Sequence, residues 1–147
     1  MIAYKPKWFR IEELVSPRLF KQYRDRQHIL WQQFDPRGLY SCDMLREIFG
    51  PATINDWLWG GKYVSSGLRL PGDEDYSLTS QHSHGRGFDY KFDNERPEIV
   101  RAFIIRNPQD ERLKYITCIE KDTPTWLHGD CRNHDKDKFG VLQVPWK

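Results

Sequence analysis

The chain has 147 residues, of which 38% are hydrophobic, 14% aromatic and 30% charged, and its eight Phe, seven Tyr and six Trp exclude a disordered chain. Its length and aromatic content point to one globular domain with a core of its own. Lys plus Arg number 23 against 21 Asp plus Glu, a formal net charge of +2, and so weak a field gives no ground for a nucleic-acid partner or an acidic membrane surface. No run approaches the roughly 18 apolar residues of a membrane span. The opening MIAYKPKWFR carries charge without an apolar stretch behind it, so neither a Sec-type signal nor a span is expected. Cys42, Cys118 and Cys131 stand in no metal-type spacing and read as reduced thiols of a cytosolic product.

Ile11 to Val15 reads as a short helical turn, after which Ser16 caps a helix with Pro17 at its first position and Leu19, Phe20 and Tyr23 on its apolar side. Asp35 and Pro36 repeat that signal, and Leu39, Cys42, Met44, Leu45, Ile48 and Phe49 recur at helical spacing until Gly50 and Pro51. Trp57 to Trp59 form a compact turn before Gly60 and Gly61, a short strand is expected from Lys62 to Ser66, and Pro71 to Thr79 is a polar, acidic loop. Gly87 to Phe92 alternates, with Phe88, Tyr90 and Phe92 on one face and Asp89 and Lys91 on the other. Asn94 is positioned to cap a helix carrying Ile99, Val100, Phe103 and Ile104. Three late strands follow, at Lys114 to Glu120, Trp126 to Arg132 and Gly140 to Val144. Helices first and strands later predict a single α+β domain on a small, mainly antiparallel sheet.

The chemistry gathers around the histidines. Catalytic zinc usually takes three protein ligands from His and carboxylate and keeps a fourth position open. In Ser80-Gln81-His82-Ser83-His84-Gly85-Arg86-Gly87-Phe88-Asp89, two glycines permit a tight path that turns His82 back toward Asp89 on the following strand. Trp126-Leu127-His128-Gly129-Asp130 offers a third ligand in His128, because alternation puts Trp126, His128 and Asp130 on one face. Alternation also puts Glu120 on the face of Ile116 and Cys118, and a hairpin through Lys121 to Thr125 brings it alongside His128. A facial triad of iron-oxygenase type around His128 and Asp130 lacks a second His far downstream, since only His134 follows. A thiol peptidase lacks a cysteine paired with a histidine.

The Ser-x-His-x(6)-Asp run from Ser80 to Asp89, with Ser66-Gly67-Leu68-Arg69 upstream and Trp126-Leu127-His128 downstream, resembles the D-alanyl-D-alanine carboxypeptidase and hedgehog-type zinc metallopeptidases, which include VanY-like enzymes and phage endolysin peptidases. The resemblance spans roughly Ser65 to Arg132, and Phe9 to Leu14 is similar to the opening of phage-borne members. It implies a hedgehog-type fold, zinc held by His82, Asp89 and His128, and hydrolysis of a peptide bond in bacterial peptidoglycan. Glu120 is then the general base, with Asp122 as alternative, because Thr125 occupies the place where some members carry their Glu. Arg69 would hold a substrate carbonyl or carboxylate and stabilise the oxyanion, with Ser80 and His84 touching substrate at the rim. Asp130 would orient a ligand or Arg132, and Gly87, in place of the usual Ala, is expected to leave the ligand undisturbed. The implied setting is a phage lysis enzyme made in the cytoplasm that acts on the wall after release. A zinc-containing binding module without turnover is the competing expectation.

Overall fold

Two cap-and-proline signals build the helical layer seen in the computed structural model, which describes residues 3–146. A turn of 3-10 helix at Ile11–Glu13 leads into α1 (Pro17–Gln22), where the Ser16 side chain accepts the Leu19 N–H at 3.2 Å. The short α2 (Gln27–Trp31) has no side-chain cap and no sequence signal announced it. In α3 (Pro36–Phe49) the Asp35 side chain accepts from the Arg37 N–H, Pro36 occupies the first turn, and Gly50 at φ +89° ends the helix.

The sheet comprises β1 (Ala52–Thr53), β2 (Gly87–Phe92), β3 (Cys118–Glu120), β4 (Leu127–Asp130) and β5 (Leu142–Val144), in the order β1-β2-β4-β3-β5. Its neighbours pair antiparallel except β3 with β5, which is parallel. Two further helices, α4 (Pro97–Arg106) and α5 (Lys136–Phe139), complete an α+β domain with a mainly antiparallel sheet, as expected. No helix of the described residues is long and apolar enough to cross a membrane.

One face of the sheet is the core. Phe88 and Tyr90 are buried there, the Cys42 thiol of α3 lies 3.3 Å from the Tyr90 hydroxyl, and Phe49 meets Phe92 and Phe103 edge-on. Period-2 alternation therefore sends Asp89 and Lys91 to the opposite face. The three cysteines are buried and free, as their spacing suggests.

Local pairing redraws several predicted boundaries. Lys62 to Ser66 is not a strand: the Tyr63 N–H donates to the Asp56 carboxylate and the Ser66 N–H to the Asn55 side chain, so side chains take the donors that a ladder would need. Arg96, not Asn94, precedes α4, because Pro97 fixes φ at the first helical position. The late strands are shorter than the apolar pattern suggests: a turn takes Lys114 and Tyr115, and only Cys118–Glu120, Leu127–Asp130 and Leu142–Val144 pair as strand.

Gly85 locks the helical layer to the loop that carries His82. It sits at φ +65°, its carbonyl accepts the Asp35 N–H at 3.0 Å, and a Cβ here would collide with the Gln33 carbonyl. Gly60 has φ +84° with nothing within 4 Å of such a Cβ. Gly60→Ala is therefore expected to cost only the left-handed strain, about 1–2 kcal/mol, and Gly85→Ala about 3 kcal/mol or more in urea unfolding. Equal losses would contradict the locking role.

Candidate metal centre

The sheet register assembles the site. Asp89 of β2 lies opposite His128 of β4, and Cys118 of β3 opposite Asp130, which brings Glu120 level with His128 on the same face. His82 comes from the 3-10 turn Gln81–His84, which Ser80 caps by accepting the His82 N–H at 3.2 Å. Gly85 in the left-handed region ends that turn, and the chain enters β2 two residues later. His82, Asp89 and His128 thus form a group whose ligand atoms all lie within 4.8 Å of one another, and the group could hold a metal ion.

The second nitrogen of each imidazole decides what the first can do. His82 Nδ1 is 2.9 Å from the Gly67 carbonyl oxygen, which only accepts, so Nδ1 carries the proton and Nε2 offers its lone pair 3.3 Å from Asp89 Oδ1. His128 Nε2 is 2.8 Å from Asp130 Oδ2, and its Nδ1 faces Asp89 Oδ1 at 3.0 Å and Glu120 Oε1 at 3.2 Å. Asp130 is held in turn by Arg132, whose Nε and terminal nitrogen donate at 2.8 and 2.6 Å. Asp130 therefore orients a ligand and engages Arg132 together, the arrangement that typically supports a metal-bound histidine.

Three acceptors consequently converge at the wall of a cavity, with both imidazoles only 4% exposed and Asp89 part-buried. Such a cluster is stable only with a proton or a cation between its members. Burial opposes charge on every member. It lowers the His82 pKa, while on His128 the hydrogen bonds to Asp130 and Asp89 overcome burial and push the pKa up to about 10. Against the same burial, His82 and His128 hold the Asp89 carboxyl well below the usual carboxylate range. Glu120 is raised, chiefly by burial, and Asp130 falls to about 2 because Arg132 and His128 outweigh its burial. The donor set, two imidazole nitrogens and a carboxylate oxygen with their outer partners in place, fits a divalent transition metal.

The other predicted residues separate into those at the cavity and those away from it. A cavity of about 530 Å³ adjoins the group, with Arg69, Ser80, Glu120 and Arg132 in its wall. Arg69 is anchored by its Nε to the Ser65 carbonyl at 2.6 Å and sends a terminal nitrogen toward Asp89 Oδ2 at 3.5 Å. His84 lies outside this wall, its Nε2 turned to the Leu78 carbonyl at 2.9 Å. Asp122 is also absent from the wall: it is exposed and accepts the Trp146 N–H at 2.7 Å. Gly87 leaves the ligand room, because a Cβ there would stand 3.0 Å from Gln81 Cβ and 3.1 Å from His128 Cε1.

Two wall residues escaped the sequence reading. Gln81 presents a buried Oε1 that has no partner among the described residues. Trp146 packs edge-on against Trp126, with ring centroids 4.9 Å apart, and arrives only because β5 pairs with β3. Neither carried a motif, although Trp126 itself was a candidate for lining a groove. Comparison with family models, with curated proteins and with solved structures gave no match.

Because the metal-free cluster holds a proton on His128 up to about pH 10, an incoming divalent ion must displace it. Calorimetry of zinc uptake near pH 7.5 in buffers of different ionisation enthalpy is expected to report about one proton released per ion. Apparent affinity should accordingly rise with pH through the neutral range. Uptake without proton release would contradict a proton held on His128 Nδ1.

Proposed function

We propose that the protein is a zinc-dependent peptidase that hydrolyses a peptide bond in bacterial peptidoglycan. The observation that carries this reading is an acidic side chain, Glu120, placed 3.2 Å from His128 Nδ1 and in the same cavity as the His82, Asp89 and His128 group. Zinc in such a three-ligand setting supplies Lewis acidity and lowers the pKa of water to about 7.

Each protein group then has a defined task. Glu120, its pKa raised by burial, takes a proton from water and returns it to the departing amine as the carbon–nitrogen bond breaks. The oxygen of that water ends on the carbonyl carbon, so the products are a carboxylate and an amine. Arg69 donates to the Ser65 and Asp75 carbonyls and to Asp89, and its remaining guanidinium N–H groups can meet negative charge as it develops on the carbonyl oxygen. Gly67 and Asp130 hold the two imidazoles in the tautomers the task requires.

Peptidoglycan as substrate is supported by the resemblance carried by Ser80 to Asp89, Ser66 to Arg69 and Trp126 to His128. The phage lysis setting is proposed on the same resemblance. Zinc-loaded protein incubated with purified peptidoglycan is expected to generate new amino termini. Glu120→Gln should retain zinc and lose turnover by roughly 100-fold or more. Undiminished turnover in that variant would remove Glu120 from the mechanism. Zinc binding without cleavage of any wall chemistry by the wild type would favour a binding module.

A further inference from the structure

The loop that supports His82 is held from outside the metal group. The Gly67 carbonyl accepts from His82 Nδ1 at 2.9 Å, and the residue before it, Ser66, is fixed through every polar group it has. The Ser66 N–H donates to Asn55 Oδ1 at 2.8 Å, its carbonyl accepts the Asp89 N–H at 2.9 Å, and its Oγ accepts from Lys91 Nζ at 2.9 Å. The geometry points to Lys91 as a positioning residue of the metal centre: through Ser66 it holds the Gly67 carbonyl where that carbonyl keeps His82 in the metal-binding tautomer. The role rests on the metal-centre reading above and is independent of the substrate.

Lys91 stands two residues beyond Asp89 on the same face of β2, in the wall of a second cavity of about 460 Å³ that shares Arg69 and Asp89 with the metal cavity. A lysine in that wall meets a ligand only with donors to spare, and its three donors already have three acceptors. Nζ donates to the Ile54 carbonyl at 2.6 Å and to Ser66 Oγ at 2.9 Å, and the Asp89 carbonyl lies 3.4 Å away. Nζ also sits 3.9 Å from the centroid of the Tyr63 ring, which favours a cation there. Its partners tie β2, the residue after β1 and the loop at Ser66 together. Lys91 thus holds the site rather than touching what enters it.

The segment after Ser66 has little slack. The Leu68 N–H donates to the Leu14 carbonyl at 2.8 Å and the Arg69 N–H to the His82 carbonyl at 3.2 Å. A Cβ on Gly67 would stand 2.2 Å from the Leu14 carbonyl oxygen, so the chain passes too close for any side chain. The direction of the Gly67 carbonyl is therefore set from its two sides, by Leu68 against the helical layer and by Ser66 against β2 through Lys91. Without the Lys91 bond the Ser66 side is loosened and the carbonyl can turn away from Nδ1. The proton then moves to Nε2, the nitrogen that faces Asp89 at 3.3 Å, and blocks the lone pair a metal needs.

The test compares the wild type with Lys91→Met, which keeps an unbranched side chain beside Tyr63 and removes the donors, and with Ser66→Ala, which removes only the acceptor. Zinc affinity is read by chelator competition, and the imidazole tautomers by two-bond proton–nitrogen correlation spectra of the metal-free, full-length protein. Lys91→Met is expected to weaken zinc binding about tenfold and to add the Nε2-protonated form of His82 while the His128 signals stay in place. Ser66→Ala should shift His82 in the same direction, and the double variant should lose no more zinc affinity than Lys91→Met alone. Zinc affinity within about twofold of the wild type in Lys91→Met, a further full loss in the double variant, or equal disturbance of both histidines would overturn the positioning role and leave the metal centre standing. Should Lys91→Met fail to fold, Ser66→Ala decides alone, and a wild-type His82 spectrum in it would overturn the role. Absence of zinc uptake by the wild type would overturn the metal centre itself and the role with it.

Discussion

The structure turns on a conflict among hydrogen-bond acceptors. Gly67 and Asp130 each take up one nitrogen of an imidazole, which leaves two lone pairs and the Asp89 carboxylate facing each other at the wall of a cavity. Polar groups of the same kind rarely meet in a buried place without something positive between them. The free chain meets that demand with a proton on His128, and a divalent cation meets it better, because it satisfies three acceptors together. Metal affinity, imidazole tautomer and the proton balance of the site are thus consequences of one arrangement.

That arrangement is a product of sheet register. β2 and β4 place Asp89 across from His128, and the pairing of β3 with β4 brings Glu120 level with the same histidine. A slip by one residue would rotate every one of these side chains into the aromatic core and send Phe88 and Tyr90 outward. The core contacts of α3 and α4 therefore protect the chemistry on the far face as well as the fold. Gly85 and Gly87 complete the assembly, the first by letting the His82 turn press against the helical layer and the second by leaving room for the His128 ring.

What was legible in the sequence follows from which forces are local. The alternation in Gly87 to Phe92 predicts both the strand and the face of Asp89, because one side of a half-buried strand must be apolar. The position of Glu120 was readable by counting back through a hairpin, since antiparallel pairing is arithmetic once the turn is known. The caps at Ser16 and Asp35 announced their helices for a similar reason. By contrast, Lys62 to Ser66 looked like a strand because nothing in its own composition reveals that Asn55 and Asp56 claim its donors. His84 seemed a rim residue from its nearness to His82, but a 3-10 turn swings it toward Leu78. Trp146 and Gln81 border the cavity through tertiary placement, for which a single sequence holds no signal.

The claim that two imidazoles and one carboxylate grip a single ion is tested most directly by X-ray absorption at the zinc edge on protein loaded with one equivalent. The account predicts one ion per chain, bound only by nitrogen and oxygen at about 2.0–2.2 Å with a multiple-scattering signal for two imidazoles, which drops to one in His128→Ala. Sulfur neighbours at about 2.3 Å, or a spectrum indifferent to the loss of His128, would contradict it.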